Sequence, residues 1–302
     1  MSDPLAPAPH FELPAVLSTS AWQARAAVHR DRIRPYTDPW RARRARGESH
    51  PVHDFLFQYY RYSAGKLESW HPAPHEAIAD SAEAHAHFRE PVYRVEDGAW
   101  RRDVRVLSAS KREAIEEVLC MLRATRERAM HFGCYGMHEW AMVYGGHDVR
   151  HAGVAPLRLP QAEIDVVVEN RPVACSHFDA FRFFAPAAQP MNRLPLAWAT
   201  RYDAEQPGCI HANMDLYRWT YSCMPWVGSD LLADCFELAL VLRDLDMEAG
   251  PYDLRAFGVE PVPIETPAGR DEYQRRQRAL AARAAVLRSA LIGAIERTLS
   301  SG

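Results

Sequence analysis

No apolar stretch of this chain approaches the roughly 20 residues that a membrane-spanning helix needs. Its proline-rich start, Met1 to Pro14, has no basic segment followed by an apolar one, so no secretory leader is read there. Both absences predict a cytoplasmic protein that makes no membrane contact. The six cysteines (Cys120, Cys134, Cys175, Cys209, Cys223, Cys235) include no C-x-x-C pair, which fits reduced, mostly buried thiols and argues against a disulfide or all-cysteine zinc framework. No internal repeat of fixed period occurs, and no proline- or glycine-rich linker divides two long periodic halves. A net charge of −3 argues against a protein that coats nucleic acid indiscriminately.

What is present is an ordinary globular composition, 48% hydrophobic and 25% charged over 302 residues, enough for a sizeable core. The pattern predicts a mainly α protein: an N-terminal arm over 1–18, then a single helical domain over 19–302 with at most a small β element. A basic helical segment is expected over 20–46, interrupted at Pro35 and Pro39. A short helix should follow within 50–62. Ser110 and Glu113 form a capping-box pattern that opens a helix running to Gly133. Residues 161–170 read either as one helix or, around Val166–Val168 and Val173–Ala174, as short strands. Ser229–Asp246 and Arg270–Leu299 read as long helices, the first with Asp230, Asp234, Glu237 and Asp244 on a solvated stripe.

Arginines cluster twice. Eight fall between Arg25 and Arg46 against only Asp31 and Asp38, and six between Arg270 and Arg288 against Asp271 and Glu272. Either stretch could touch phosphates or form a solvated helix face.

Four runs carry ionisable groups among apolar neighbours. Cys175-Ser-His-Phe-Asp-Ala-Phe-Arg-Phe-Phe184 sets His177, Asp179 and Arg182 among four phenylalanines. Gly208-Cys-Ile-His-Ala-Asn-Met-Asp-Leu-Tyr-Arg-Trp219 places His211 and Asp215 four apart, on one face of a helix. Burial of either run would shift their pKa values. Met130 to Trp140 contains His138-Glu139, the beginning of the H-E-x-x-H zinc motif, but Met142 stands where the second ligand belongs. His147 and His151, further on, have a permissible ligand spacing in a stretch that Gly145-Gly146 marks as a loop. The fourth run, Phe55-Leu-Phe-Gln-Tyr-Tyr-Arg-Tyr62 with Trp70-His-Pro72, offers aromatic faces that could stack an exposed base or simply pack a core.

These residues admit a metal-dependent enzyme acting on a small molecule. His177-x-Asp179 with His211 would supply a two-histidine, one-carboxylate set for a divalent ion, and His138 and Glu139 are further candidate ligands. They equally admit a capped helix start, with Ser176 or Asp179 satisfying amides and the phenylalanines entering the core. A binding protein whose polar clusters merely order the fold is a third class.

The chain also resembles a bacterial family usually labelled 3-methyladenine DNA glycosylase. The likeness is carried by His50-Pro-Val-His-Asp-Phe-Leu-Phe-Gln-Tyr-Tyr60, Trp70-His-Pro72, His138-Glu-Trp-Ala-Met-Val-Tyr144, Cys175 to Phe184, Glu205-Gln-Pro-Gly-Cys209 with His211, and Asp234-Cys-Phe-Glu-Leu-Ala239, and it runs from about residue 50 to 280. It implies hydrolysis of the N-glycosidic bond of alkylated purines in DNA, without a cofactor. No glycine-rich helix-hairpin-helix turn followed by an aspartate accompanies it. On that reading an ionised carboxylate faces the developing sugar cation, with Asp179 first and then Glu139 and Asp215, assisted by His177 and His211. Tyr59, Tyr60, Trp140, Phe178 and Phe181 would hold the cationic, flipped-out base, and Arg182 and Arg218 would contact flanking phosphates.

Overall fold

The computed structural model describes residues 15–89, 91–146, 155–171 and 173–301. His147 and His151 lie outside them. Among the described residues there are eleven α-helices and one four-stranded sheet. None of these helices is long and apolar enough to cross a membrane.

The sheet comes from the N-terminal third. Strand β1 (Ala15–Leu17) precedes helix α1 (Thr19–Ala45), short helices α2 (Phe55–Tyr59) and α3 (Ala64–Glu68), strand β2 (Glu76–Ala79), helix α4 (Ala82–His87) and the hairpin β3 (Tyr93–Glu96) to β4 (Ala99–Arg102). Asp97 and Gly98 join the hairpin with φ of 51° and 72°, the paired left-handed conformations that a two-residue turn between twisted strands requires. The strand order is β1-β2-β4-β3, with β1 parallel to β2 and the other pairs antiparallel. A small satellite core of Trp22, Trp70, Ile78, Phe88, Tyr93 and Trp100 lies under it.

The remainder is helical: α5 (Ala109–Glu127), α6 (Met137–Met142), α7 (Gln161–Glu169), α8 (Phe178–Phe181), α9 (Ile210–Ser222), α10 (Ser229–Ala249) and α11 (Pro267–Ser300). Helices α9, α10 and α11 pack on one another, and α5 packs against α11. On α10, Leu232, Cys235, Phe236, Ala239 and Leu242 recur at three- and four-residue spacing and are all fully buried, the apolar stripe that binds this bundle together. A second core, built on Trp140, Ile164, Val168, Phe184, Leu245 and Tyr273, fills the space beneath α6 and α7.

Several local expectations change. Helix α1 runs unbroken through Pro35 and Pro39. Both prolines are exposed, so the carbonyls of Asp31 and Pro35, which lose their amide partners, face water, while Ile33 and Thr37 anchor the opposite side. Helix α5 is capped by Ser108, whose Oγ accepts from the Lys111 amide at 3.2 Å, two residues before the predicted cap. It stops at Glu127 rather than Gly133, because Arg128 turns extended and donates to the carbonyls of Tyr202 and Glu205 at 2.8 Å each. Residues 161–169 are helix, not strand, and Val173 makes only an isolated bridge with Asn192. Ala15–Leu17, assigned by sequence to the arm, pairs with Glu76–Ile78.

The acidic stripe of α10 is only partly solvated. Asp230 pairs with Arg25, and Asp234 and Glu237 take a forked contact from Arg32 at 2.6 Å, tying α1 to α10. Arg41 pairs with Glu68, Arg43 with Asp54 and Arg46 with Glu48, so much of the basic N-terminal segment is neutralised within the chain.

A buried histidine and carboxylate cluster as candidate active site

Four elements converge at one end of the bundle. Helix α9 begins after Pro207-Gly208, where a Cβ on Gly208 would lie 2.7 Å from the His131 carbonyl oxygen, so only glycine lets the two segments approach. From there His211, Asp215 and Arg218 follow at helical spacing. Helix α6 starts at Gly136, whose φ of 73° turns the chain so that His138 and Glu139 enter the interior. Helix α10 contributes Arg243 and Asp246 one turn apart. His177 occupies the N-cap position of α8 without a side-chain capping bond, Asp179 lies in its first turn, and Glu205 comes from the loop before α9.

Two triads result, each with its ligand-type atoms within 4.8 Å of one another. In the first, His177 Nε2 lies 3.2 Å from Asp215 Oδ2 and 3.6 Å from Glu205 Oε1, with all three side chains about 4% exposed. In the second, His138 Nε2 lies 2.7 Å from Asp246 Oδ1, and His211 Nε2 lies 3.8 Å from Asp246 Oδ2. The triads abut. The His211 ring centroid is 4.4 Å from that of His138 and 5.4 Å from that of His177.

The surrounding side chains orient these groups. The Tyr60 hydroxyl donates to Asp215 Oδ1 at 2.7 Å, and Arg218 reaches Asp215 Oδ2 at 3.8 Å. Arg243 donates to Asp246 Oδ2 at 2.8 Å and lies 3.4 Å from Glu139, its guanidinium stacked 3.9 Å over the Phe55 ring. Asp179 is held by Arg182 at 3.0 Å and Arg218 at 3.2 Å. Five carboxylates (Glu139, Asp179, Glu205, Asp215, Asp246) thus meet three guanidiniums. The remaining negative charge calls for protons on histidine or for a metal cation.

Burial and charge pull the pKa values apart. Burial pushes the Glu205 carboxyl up to about 7, with the charge of His177 opposing the rise and those of Asp215 and Asp179 adding to it. For Asp215 burial acts upward, but the His177 hydrogen bond and the charges of His177 and Arg218 outweigh it and hold it below the usual carboxylate range. Burial acts downward on His177 and His138, and the carboxylates of Asp215 and Asp246 respectively reverse the sign, so both imidazoles are raised. His211 falls well below its ordinary value through burial and repulsion from His138, which leaves it neutral and free to ligate.

A cavity of about 360 Å³ opens onto this cluster, lined by Phe55, Tyr59, Tyr60, Phe183, His177 and Asp215, among others that include Glu139, Asp179, His211 and Arg243. A second cavity, of about 530 Å³, has His138 and His211 in its wall. His211 borders both.

Seven of the residues singled out from sequence therefore share one cavity: Tyr59, Tyr60, Glu139, His177, Asp179, His211 and Asp215. The ligand groupings differ from the sequence pattern. Asp179 is held by arginines rather than sharing an ion with His177, and Glu139 turns to Arg243, apart from His138. Trp140 is fully buried, its indole N–H donating to the Ala249 carbonyl at 2.9 Å and Arg158 lying over its ring. Phe178 faces Trp198, and Phe181 packs on Phe184 in the second core. Arg182 and Arg218 are partly exposed, at 43% and 34%, at the Asp179 edge.

Glu205, Arg243 and Asp246 were not singled out as site residues by sequence. Glu205 lies in a loop that has no periodicity to read. Asp246 carried a usable signal: an aspartate on the same stripe as Leu238, Leu242 and Ala249, where an apolar residue belongs. No known protein family, curated protein or solved structure matches this chain.

Proposed function

We propose that this protein is a metal-dependent enzyme acting on a small molecule, with a divalent ion held by His177, Glu205 and Asp215. The carrying observation is the Glu205 carboxylate. It is 3% exposed, makes no side-chain hydrogen bond to any described residue, and has His177 Nε2 at 3.6 Å as its nearest ionic partner. A buried carboxylate without donors is costly, and a cation in the gap between the three groups supplies what the protein does not. One imidazole and two carboxylates suit iron, manganese or zinc, and the Tyr60 and Arg218 contacts to Asp215 would fix that ligand in place.

The cavity volume lies within the range of small-ligand pockets. Phe55, Tyr59 and Phe183 offer an apolar floor, while Arg243 and the ion would face a polar or anionic head group. An ion there would polarise a bound oxygen or lower the pKa of a bound water. Metal analysis of the purified protein tests this reading. At least one equivalent of iron, manganese or zinc is expected, with loss of one in Glu205→Gln; a metal-free protein that cannot be reconstituted rules it out.

A second reading, excision of alkylated purines from DNA, draws on one observation. Asp179 and Asp215 border the same cavity beside Tyr59 and Tyr60, with Arg218 bridging them. A flipped cationic base on those rings would bring its sugar towards a carboxylate. Against it stands the neutralisation of Arg25, Arg32, Arg41, Arg43 and Arg46 within the chain. Incubation with alkylated duplex DNA, and mass spectrometry of released base beside Asp179→Asn, separates the two readings.

A further inference from the structure

We propose that the centre is dinuclear, with a second divalent ion bound by His138, His211 and Asp246. This builds on the metal-dependent reading above but rests on separate residues and separate observations.

The first observation is a pair of orphaned atoms. His138 Nε2 and Asp246 Oδ1 are both inaccessible to solvent and lie 2.7 Å apart, yet they are not aligned as a hydrogen bond, and neither has another hydrogen-bond partner among the described residues. Buried polar atoms are nearly always hydrogen-bonded, and here the two face each other as a close pair without that alignment, an arrangement in which a cation could take the place of the His138 proton. The second is the state of the third group. Among the described residues His211 has no ion-pair or hydrogen-bond partner closer than Asp246 Oδ2 at 3.8 Å, so its Nε2 faces the cluster without a bonded partner.

The dimensions fit. Metal ligands about 2.1 Å from a common ion are roughly 3 to 4 Å apart. His138 Nε2 and Asp246 Oδ1, 2.7 Å apart, would have to part slightly to admit an ion, and one donor atom from each of the three residues lies within 4.8 Å of the others. Arg243, at 2.8 Å from Asp246 Oδ2, leaves Oδ1 free for the ion and orients the carboxylate. Two imidazoles and one carboxylate suit iron, manganese, cobalt or zinc. Since the His211 and His177 rings stack at 5.4 Å, the second ion would neighbour the first across a shared histidine wall.

The test counts ions. Full-length protein is reconstituted under anaerobic conditions with Fe(II), Mn(II) or Zn(II) in turn, freed of excess metal, and analysed by mass spectrometry of the elements. Two equivalents are expected in the wild type, with one remaining in His138→Gln and one in Glu205→Gln. The manganese form should show a spin-coupled electron paramagnetic resonance spectrum that each of these substitutions converts to that of an isolated ion. One equivalent in the wild type, unchanged by His138→Gln, would overturn the dinuclear proposal and leave the single-ion reading standing. No bound metal of any kind would overturn both. Should His138→Gln fail to fold, the wild-type stoichiometry and spectrum decide by themselves.

Discussion

Tyr60 and Asp215, 155 residues apart in the chain, are joined by a 2.7 Å hydrogen bond from the phenol to Oδ1. The contact fastens the residue that ends α2 to the middle of α9. It also leaves Oδ2 of the same carboxylate for His177.

Tyr60→Phe removes the only hydroxyl donor to Asp215 among the described residues and strands a buried oxygen. The expected loss is about 1–3 kcal/mol of stability in urea unfolding, with a weaker hold on any bound metal by about tenfold or more. Unchanged stability together with unchanged metal content would show that Asp215 is satisfied by other means.

Gly208→Ala tests the close approach ahead of α9. The added methyl would sit 2.7 Å from the His131 carbonyl oxygen and 2.9 Å from Gln206 Oε1, so backbone must shift. A loss of about 1–3 kcal/mol is expected in thermal or chemical unfolding. His211 follows three residues later, so metal content should fall with it.

The α1–α10 seam separates charge from packing. Arg32 is about one third exposed at its contacts with Asp234 and Glu237, and Arg32→Ala should cost under about 1 kcal/mol, less in high salt. One position on, Ile33 is fully buried, and Ile33→Ala should cost about 2–5 kcal/mol without salt dependence. Urea titrations at low and high ionic strength distinguish the two.

His71 gives a pH dependence away from the candidate site. Burial, then the charge of Arg102, lowers its pKa to about 4, and its Nδ1 lies 2.9 Å from the Tyr93 hydroxyl. The unfolded chain takes up a proton near pH 6.5 that the native state refuses until about 4. Stability from this group is therefore present above pH 6.5 and lost as pH falls towards 4, at up to about 1.4 kcal/mol per unit. Urea midpoints at pH 7 and pH 5 should differ more in the wild type than in His71→Asn.

Legibility followed the range of the interactions. Helices α5 and α10 were readable because the apolar residues on each repeat at the helical period, and α11 because its alanine, leucine and arginine content favours helix, signals contained within one segment. The unbroken course of α1 was not, because the prolines argue locally for a break and only their exposure shows that water accepts the freed carbonyls. Strand β1 was hidden for a similar reason: Ala15-Val-Leu17 carries too few residues for a period, and its partner lies some sixty residues on. In the candidate site, His138, His177, His211, Asp179 and Asp215 stood out as ionisable groups in apolar runs. Their pairing did not, since it depends on which helix face meets which.

By itself, the amino-acid order determined a mainly α chain, long helices at the C-terminal end and a small set of histidines and acids bound for the interior, because helix period and hydrophobicity act over a few residues. Only the tertiary structure decided that Glu205 joins His177 and Asp215, that Asp246 rather than Glu139 meets His138, and that arginines claim Asp179. Those choices arise from segments up to 108 residues apart meeting in a low-dielectric interior, where every charge must find a partner and no local pattern names it.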